Sequence, residues 1–444
     1  MGEGGRNRQP HGAAVRGLAE AHGIKRKTEK AAAPLQVKVG RDGRLHIPRE
    51  IARKLGADPG RSLDLAVGGG KIEILPDVHS LAKVYIEPTS RCNLTCETCI
   101  RRTWDEPLGD MDGETFEALL QGLRRFRHLE TVMFGGFGEP TAHPDILSMI
   151  AKVKALGVRA EMTTNGTRLD QDFLTGLFQS RLDTLWVSLD GTKEASYEDI
   201  RAGASFRKIT ESLQRLQEMN AASDHQIKVG IAFVLMRRNI RDLKTMDDLA
   251  RSVGADVVMV SHVLPYRPEM EAEMLCRLTL SLDTFASVPE KTVIHLPRMD
   301  VNALTSDTIL HLLQGFENLT MMGNKIAADT HRCRFIYERC TFIRWDGKVA
   351  PCMGLLHAHT TYLYGYERRI SPHLLGDVRE TPLPAIWQSK AYRKFREDVK
   401  AFAYSPCHLC GGCDLLKENK EDCLGHTFPV CGGCLWAEGV IQCP

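Results

Sequence analysis

The sequence predicts an α/β protein in which six repeated strand–helix units form a partial parallel barrel, preceded by a small β-rich segment and followed by a cysteine-rich region. Three observations support this. Apolar runs alternate with amphipathic stretches between Lys83 and His262. Turn residues interrupt alternating apolar residues between Gln36 and Leu75. Ten of the 14 cysteines fall between Cys333 and Cys443. A flat doubly wound sheet is the alternative, but the sequence contains no GxGxxG dinucleotide-binding pattern that would support it.

Composition excludes several classes of protein. A chain of 444 residues with 43% apolar residues can bury several cores. The 58 Lys+Arg against 56 Asp+Glu leave a net charge of +2, which gives no chain-wide attraction to nucleic acid or anionic lipid. We find no apolar run near the roughly 18 residues needed to span a bilayer, and no apolar stretch of a signal peptide. We therefore expect a cytoplasmic protein without a membrane partner, whose clustered thiols are reduced and bind metal.

Five regions follow from these patterns. Residues 1–34, with seven Lys/Arg against three Glu, are predicted to be disordered and basic. Residues 35–77 form the β-rich segment and residues 78–265 the barrel. Residues 266–330 carry no readable motif and are expected to be helices that connect and cap the barrel. Residues 331–444 form the cysteine-rich region.

The β-rich segment has a specific sequence pattern. The string QVKVGRDGRLHIPREIARKLGADPGRSLDLAVGGGKIEILP contains an Asp42-Gly43 turn, a short helix after Pro48 and a second hairpin. It resembles the AbrB-type swapped-hairpin domain. The resemblance implies a homodimer, because so small a unit cannot bury a core alone. Eight basic residues against five acidic ones leave only +3, so DNA binding is possible but a dimerisation or docking role is favoured.

The barrel units can be placed along the chain. The predicted strands are Val84–Glu87, Thr131–Phe134, Arg159–Thr163, Thr184–Ser188, Lys228–Leu235 and Val257–Ser261. The predicted helices between them include Gly113–Phe126, Pro144–Leu156, Asp170–Gln179, Phe206–Asn220 and Asn239–Val253. Asp110, Asp112 and Glu114 are interpreted as charges at a helix N-terminus.

A cysteine triplet follows the first strand. The triplet consists of Cys92, Cys96 and Cys99. It lies at the carboxyl end of the predicted barrel strands, where barrel enzymes have their active sites. Three thiolates leave one iron of a four-iron cluster without a protein ligand, so a cofactor can bind there. A structural zinc site would want a fourth ligand nearby, and no Cys or His lies between Cys99 and His128.

The CxxxCxxC spacing resembles the signature of the radical S-adenosylmethionine (SAM) superfamily. The resemblance implies a [4Fe-4S] cluster that binds SAM and, on receiving an electron from a donor such as ferredoxin or flavodoxin, cleaves it to a 5′-deoxyadenosyl radical. It also implies cofactor contacts in segments that follow successive strands, at Gly135, Gly136, Glu139, Asn165, Ser188 and Asp190. Where the family commonly has an aromatic residue before the third cysteine, this sequence has Thr98, so the adenine contact is unassigned.

The C-terminal cysteines begin with a Cys333-x13-Gly347-x4-Cys352 pattern that contains an Asp346-Gly347 hairpin turn. This opening resembles the SPASM auxiliary-cluster domain. The implied metal ligands are Cys333, Cys340, Cys352, Cys407, Cys410, Cys413, Cys423, Cys431, Cys434 and Cys443. Ten cysteines exceed the eight that two closed clusters need, so one or two auxiliary clusters are expected, with Cys340 the most ambiguous ligand. A pair of zinc ribbons is the alternative.

The sequence also predicts the environments of three further residues. Cys276 has no cysteine neighbour and is predicted to be a buried apolar side chain. His357 and His359 either face the substrate or lie in a solvated loop, and the solvated loop is favoured.

The order of the three regions, ending in CGGCLWAEGVIQCP, resembles the radical maturases of tungsten-cofactor oxidoreductases of the aldehyde ferredoxin type. This resemblance implies an oxidoreductase polypeptide or its tungstopterin cofactor as substrate. A peptide-modifying SPASM enzyme is the first alternative, against which the lack of a recognisable winged-helix segment before the barrel counts. An iron–sulfur redox sensor that binds DNA is the second, against which the complete set of cofactor segments counts, since a sensor needs none of them.

Overall fold

The structure is a computed structural model that describes residues 38–39, 41–42, 44–57, 63–68, 71–276, 293–297, 299–300, 302–308, 319–321, 333–363, 365–405 and 413–444. The segment 1–34 predicted to be disordered, and the predicted ligands Cys407 and Cys410, lie outside these residues. Within the described ranges, no helix combines the length and the apolar character that crossing a bilayer requires.

The N-terminal segment consists of two hairpins joined by a helix. Strands β1 (Lys38–Val39) and β2 (Leu45–His46) pair antiparallel, α1 spans Arg49–Lys54, and β3 (Leu65–Gly68) pairs antiparallel with β4 (Lys71–Ile74). Helix α1 begins after Pro48, whose φ of −55° suits the entry to a helix. The paired strands and the helix lie where the sequence pattern predicted them.

Six parallel strands form the barrel core as predicted. They are β5 (Lys83–Ile86), β6 (Thr131–Phe134), β7 (Arg159–Thr164), β8 (Thr184–Ser188), β9 (Lys228–Leu235) and β10 (Val257–His262). Each pairs in parallel with the next in chain order. All four residues of β6 are buried, as expected for a strand covered on both faces. This arrangement brings the loops after the strands to one edge of the sheet.

Helices follow these strands along the chain. They are α2 (Gly113–Leu123), α3 (Ile146–Lys154), α4 (Gln171–Gln179), α5 (Glu194–Ile200), α6 (Phe206–Ala222), α7 (Met246–Ser252) and α8 (Pro268–Glu271). Asp112 caps α2, since its Oδ1 accepts a hydrogen bond from the Thr115 amide at 2.7 Å, which agrees with its interpretation as a helix-terminus charge. Asp110 instead accepts a hydrogen bond from Arg91 Nε at 3.3 Å, away from the helix. The predicted helix Asn239–Val253 is instead a 3-10 turn followed by α7.

The connecting region extends the sheet. Strand β11 (Val293–Leu296) pairs in parallel with β10, and β12 (Leu319–Met321) pairs with β11. The expectation of capping helices was wrong for these two stretches. Short apolar runs are ambiguous between strand and helix, and here a free sheet edge was available to pair with them.

The C-terminal region joins the other edge of the same sheet. It contains α9 (Arg334–Tyr337), β13 (Cys340–Ile343), β14 (Lys348–Ala350), β15 (His359–Leu363), β16 (Tyr366–Ile370), β17 (Gly376–Asp377), α10 (Leu383–Gln388) and α11 (Lys390–Ala401). The predicted Asp346-Gly347 hairpin is confirmed as β13–β14, with Gly347 at φ +83°. Strand β13 pairs in parallel with β5, which makes a sheet of 11 strands among the described residues and places the cysteine-rich region beside the first barrel strand.

Candidate active site and auxiliary cysteine site

The cysteine triplet lies in the loop after β5 and lines a cavity of about 280 Å³ at the carboxyl ends of the barrel strands. Cys96 is buried, and Cys92 and Cys99 are half-buried. Cys92 Sγ accepts hydrogen bonds from the Leu94 amide at 3.4 Å and from Asn165 Nδ2 at 3.7 Å. Donors aimed at a sulfur stabilise its anionic, iron-bound form.

The protonation of these thiols also fits a cluster. Burial raises the pKa of Cys96 to about 11, opposed by the nearby Arg201 guanidinium, and burial likewise raises the pKa of Cys99. Buried thiols lose their protons only when a strong positive charge lies next to the sulfur, and iron supplies that charge. Because three cysteines share one cavity wall with room beside them, their arrangement fits a four-iron cluster with one open iron.

Arg201 is a site residue that the sequence did not reveal. It follows α5, lines the cavity, and its Nε donates to Asp190 Oδ2 at 2.7 Å. Burial opposes its charge, but Asp190 and Cys96 raise the pKa of Arg201, so it stays cationic. The site therefore holds a fixed positive charge beside the cysteines. Nothing in the local string Asp199-Ile200-Arg201 distinguishes this arginine from an ordinary surface residue.

The loop after β6 is held close to the cysteine loop. A Cβ atom at Gly138 would lie 1.9 Å from the Thr89 carbonyl oxygen, so only glycine allows this approach. The Glu139 amide donates to the Arg91 carbonyl at 2.8 Å. The Glu139 side chain is buried, and it accepts hydrogen bonds from the Thr164 hydroxyl at the end of β7 and from the Asn165 amide in the loop that follows. Glu139 thereby fixes two cavity loops to each other.

The structure brings most of the predicted cofactor residues together. Five of the six line the cavity, namely Gly135, Gly136, Glu139, Asn165 and Ser188. The sixth, Asp190, is 0% exposed, and its Oδ1 accepts from the Val234 amide while Oδ2 holds Arg201. Thr98 lies on the cavity wall as well. Asp190 thus supports the cavity through Arg201.

His357 is buried between two carboxylates, so the prediction of a solvated loop was wrong. Its Nε2 lies 2.9 Å from Glu87 Oε2 and its Nδ1 lies 2.7 Å from Glu106 Oε2. The Trp104 ring packs on the imidazole at 4.2 Å between ring centroids. Glu87 also accepts from the amide of Phe137, a cavity residue. The network ties the two cavity loops to the C-terminal region.

The charge state of this network follows from its contacts. Burial disfavours the imidazolium, but the hydrogen bonds and charges of Glu106 and Glu87 outweigh it and raise the pKa of His357 to about 9. The pKa of Glu106 is lowered, since its bonds to His357 and Ala358 and the nearby Arg344 outweigh its own burial. His357 is therefore a buried cation at neutral pH.

A second group of cysteines lines a separate small cavity of about 40 Å³. Cys333, Cys352, Cys431 and Cys434 lie on its wall. Burial raises the pKa of all four, to about 12 for Cys333, and the neighbouring cysteines contribute further for Cys333, Cys352 and Cys431. Four buried thiols on one wall fit the ligand set of a closed auxiliary cluster. Among the described residues, no three Cys, His, Asp or Glu side chains converge on a point that could hold a single metal ion.

His359 lines this second cavity, so its prediction as part of a solvated loop was also wrong. It is 8% exposed, and burial lowers its pKa to about 4. Its Nδ1 lies 3.0 Å from the His357 carbonyl oxygen, so the ring donates there, and its Nε2 has no hydrogen-bond partner among the described residues. A neutral, buried imidazole thus forms part of the wall beside the cysteines.

Four other described cysteines differ in their exposure to solvent. Cys413 and Cys423 are exposed, and Cys423 Sγ lies 3.3 Å from Ser405 Oγ. Cys340 is 1% exposed within β13. Cys276 is 6% exposed, as its interpretation as a buried side chain required.

The chain's last described residues close the first cavity, which the sequence did not predict. Residues 441–444 line it, and the segment is fixed to β10 because the His262 amide donates to the Val440 carbonyl at 3.1 Å. The Trp436 side chain lines both cavities and so stands between the cysteine triplet and the auxiliary cysteines. The string CGGCLWAEGVIQCP marked the region, but not its position over the barrel.

Comparisons with known proteins agree with this geometry. Residues 86–250 match the radical SAM superfamily, residues 333–414 match the SPASM iron-sulfur cluster-binding domain, and residues 36–81 match the family described as antidote-toxin recognition MazE, bacterial antitoxin. The chain is 30% identical over 368 residues to the tungsten-containing aldehyde ferredoxin oxidoreductase cofactor-modifying protein of Pyrococcus furiosus, which covers 81% of this chain and 96% of that relative.

One further relative and one solved structure are also similar to this chain. The chain is 30% identical over 356 residues to the mycofactocin maturase MftC of Mycobacterium tuberculosis, covering 79% of this chain and 78% of the relative. The solved structure of anSMEcpe with bound AdoMet covers 82% of this chain and 88% of that chain at 14% identity, with a TM-score of 0.51, which shows the common fold. The protein is an enzyme that belongs to the radical S-adenosylmethionine superfamily, in the branch that carries a SPASM domain.

Proposed function

We propose that this radical SAM enzyme acts in the maturation of a tungsten-containing oxidoreductase of the aldehyde ferredoxin type, with the oxidoreductase polypeptide or its tungstopterin cofactor as substrate. One observation carries the proposal: the similarity to the Pyrococcus furiosus cofactor-modifying protein runs through 96% of that relative. The similarity is therefore not limited to the barrel that all superfamily members share.

In this proposal, Cys92, Cys96 and Cys99 hold the cluster that binds SAM. When bound, that cluster supplies the electron that cleaves the cofactor to methionine and a 5′-deoxyadenosyl radical. Gly135 and Gly136 let the cofactor approach the backbone, and Asn165 and Ser188 offer it hydrogen bonds. Arg201, held by Asp190, presents a positive charge to the anionic end of the cofactor. The surrounding walls keep water from the reacting atoms.

Eight of the ten C-terminal cysteines divide into two proposed sets. Cys333, Cys352, Cys431 and Cys434 hold one auxiliary cluster, supported by their common buried cavity. Cys407, Cys410, Cys413 and Cys423 hold a second. Electrons come from a low-potential carrier such as ferredoxin or flavodoxin, in the reducing cytoplasm where thiols stay free.

The N-terminal hairpins are proposed to serve a homodimer. The register pairs Leu65 with Ile74, and Ile72 lies two residues from Ile74 on the same strand, so these three residues share one face of the β3–β4 hairpin. Leu65 is 55% exposed and Ile72 is 59% exposed, which leaves an apolar surface that a second copy would cover. Sedimentation of a Leu65→Lys, Ile72→Lys variant should show a monomer where the parent chain dimerises.

The proposed function can be tested by metal and activity analysis of the oxidoreductase. A host that makes a tungsten oxidoreductase and lacks this enzyme is complemented with the parent chain, with Cys96→Ala, or with Cys276→Ala as a matched buried-cysteine control. Only the parent and Cys276→Ala should restore active oxidoreductase with its pterin cofactor. Full activity with Cys96→Ala would reject the proposal.

Peptide modification remains the second candidate, because the mycofactocin maturase relative covers 79% of this chain. Peptides extracted from the same complemented strains distinguish the two. A mass change in a small peptide that depends on Cys96, with unchanged oxidoreductase, would support peptide modification instead.

A further inference from the structure

One face of the β15–β16 hairpin lies against the small auxiliary cavity. The wall of that cavity contains Cys333, Cys352, Cys431 and Cys434. The register pairs Thr361 with Arg368 and His359 with Ile370, and side chains alternate between faces along a strand, so these four residues share a face. All four line the cavity. The next residue, Arg369, lies on the opposite face, and its side chain is 75% exposed.

Arg368 brings a permanent positive charge into the auxiliary cavity. It is 7% exposed. The other described residues that line the cavity have apolar, neutral polar or thiol side chains. His359 is neutral as well, because burial lowers its pKa to about 4. At neutral pH, the Arg368 guanidinium is therefore the one fixed charge on the described part of this wall.

The guanidinium lies next to the loop that carries Cys431 and Cys434. A Cβ atom at Gly433, which stands between these two cysteines, would lie 2.1 Å from Arg368 Nη1. The glycine thus leaves the space that the guanidinium occupies. Burial raises the pKa of both cysteines, and the charge of Arg368 opposes that rise in both. The arginine is therefore close enough to act on both sulfurs.

A buried cation at this position favours an anionic cluster. Burying a charge is costly unless an opposite charge lies near it, and iron-bound thiolates supply one where protonated thiols do not. Reduction makes a four-iron cluster more negative by one charge. Net charge and hydrogen bonds to the sulfurs set its reduction potential, and charges act strongly on each other in a buried cavity. The guanidinium should therefore stabilise the reduced cluster more than the oxidised one.

We propose that Arg368 raises the reduction potential of the auxiliary cluster held by Cys333, Cys352, Cys431 and Cys434, so that a low-potential one-electron carrier can reduce it. In this step, one electron passes from the carrier to the cluster, and no bond forms or breaks. The auxiliary cluster then serves in electron transfer and not only as a structural support. The inference rests on the auxiliary cluster of the proposed function, but not on the identity of the substrate.

The test is a redox titration of the full-length chain after anaerobic reconstitution with iron and sulfide. Every protein carries Cys92→Ala, Cys96→Ala and Cys99→Ala, which removes the SAM cluster and leaves the signals of the auxiliary clusters. Titanium(III) citrate reduces the protein in steps, and electron paramagnetic resonance measures the reduced fraction at each potential. Iron analysis of each protein shows whether its clusters are present.

We expect Arg368→Met to lower the equilibrium constant for reduction of one auxiliary cluster at least about ten-fold, which corresponds to about 59 mV for one electron. Arg368→Lys keeps the charge and should have a smaller effect. Gly433→Ala keeps the arginine but displaces its guanidinium, so the potential should fall in the same direction. Arg369→Met is the matched control, because it removes the exposed neighbour and should leave the potential unchanged. Iron content should be equal in all of these proteins.

Other results would overturn the inference. If Arg368→Met and Gly433→Ala retain their iron and the parent potential, Arg368 does not tune the cluster. An equal shift in Arg369→Met would show a general effect of surface charge. Loss of about four irons from Arg368→Met, with an unchanged potential in Gly433→Ala, would make Arg368 a structural support of the cluster. A parent chain that binds zinc and no auxiliary cluster would instead refute the cluster assignment of the proposed function, and the inference with it.

Discussion

The buried network of Glu87, His357 and Glu106 should make the stability of this protein fall with rising pH. The two carboxylates raise the pKa of His357 from 6.5 to about 9. A group whose pKa is higher in the folded state contributes its full stability below the unfolded pKa and loses it as pH rises through the folded value. The window is therefore pH 6.5 to about 9.

The magnitude follows from the same pKa values. A rise from 6.5 to about 9 corresponds to roughly 3 kcal/mol at about 1.4 kcal/mol per unit. The His357 and Glu87 side chains are each 1% exposed, so solvent screening removes little of it. In a Glu87→Gln, Glu106→Gln variant, the amides can still hydrogen-bond a neutral imidazole, but the charges that hold the proton are gone. This variant should lose the pH dependence and remain folded.

The assay is urea unfolding of the reconstituted protein under anaerobic conditions, followed by tryptophan fluorescence at pH 6, 7.5 and 9. The difference between the parent and the variant cancels the other titrating groups. Glu117→Gln is the matched control, since it removes a carboxylate from an exposed pair with Lys152 that is worth about 0–1 kcal/mol. If the parent and the double variant lose stability equally between pH 6 and 9, the reasoning about His357 is wrong.

Three other substitutions test the site. Cys96→Ala should lose about four irons and all 5′-deoxyadenosine formation, measured by iron analysis and chromatography. Arg201→Ala leaves Asp190 buried without its cation, so we expect about 3–5 kcal/mol of destabilisation and a much weaker SAM affinity by equilibrium dialysis, with Arg201→Lys partly restoring both. Gly138→Ala forces a Cβ to within 1.9 Å of the Thr89 carbonyl oxygen, so SAM cleavage should fall more than about ten-fold while iron is retained. Unchanged cleavage in Gly138→Ala would show that the loop can move at little cost.

Local patterns were sufficient where the responsible residues are close in sequence. Strand β6 begins and ends at the predicted residues, the Asp346-Gly347 turn forms its hairpin, and Asp112 caps the helix after the cysteine triplet. Hydrophobic period, turn chemistry and capping act over a few residues, so a single sequence contains them in full.

The residues that were missed depend on contacts between distant parts of the chain. His357 meets Glu87 across 270 sequence positions, and its histidine-rich string looks like an exposed loop until β13 pairs with β5. At the opposite edge of the sheet, pairing with β10 decides that β11 and then β12 extend the sheet, which no local period encodes.

The sequence by itself indicated the class of chemistry, because the spacing of Cys92, Cys96 and Cys99 after a strand matches the radical SAM signature, which implies a three-thiolate site with one open iron. Only the tertiary structure decided how the remaining cysteines divide. Spacing leaves Cys434 and Cys443 alike, yet Cys434 lines the small cavity with Cys333 and Cys352, while Cys443 lines the larger cavity with the cysteine triplet, and Trp436 lines both. That division arises because the C-terminal segment folds back over β10, and such closure depends on the packing of the whole barrel.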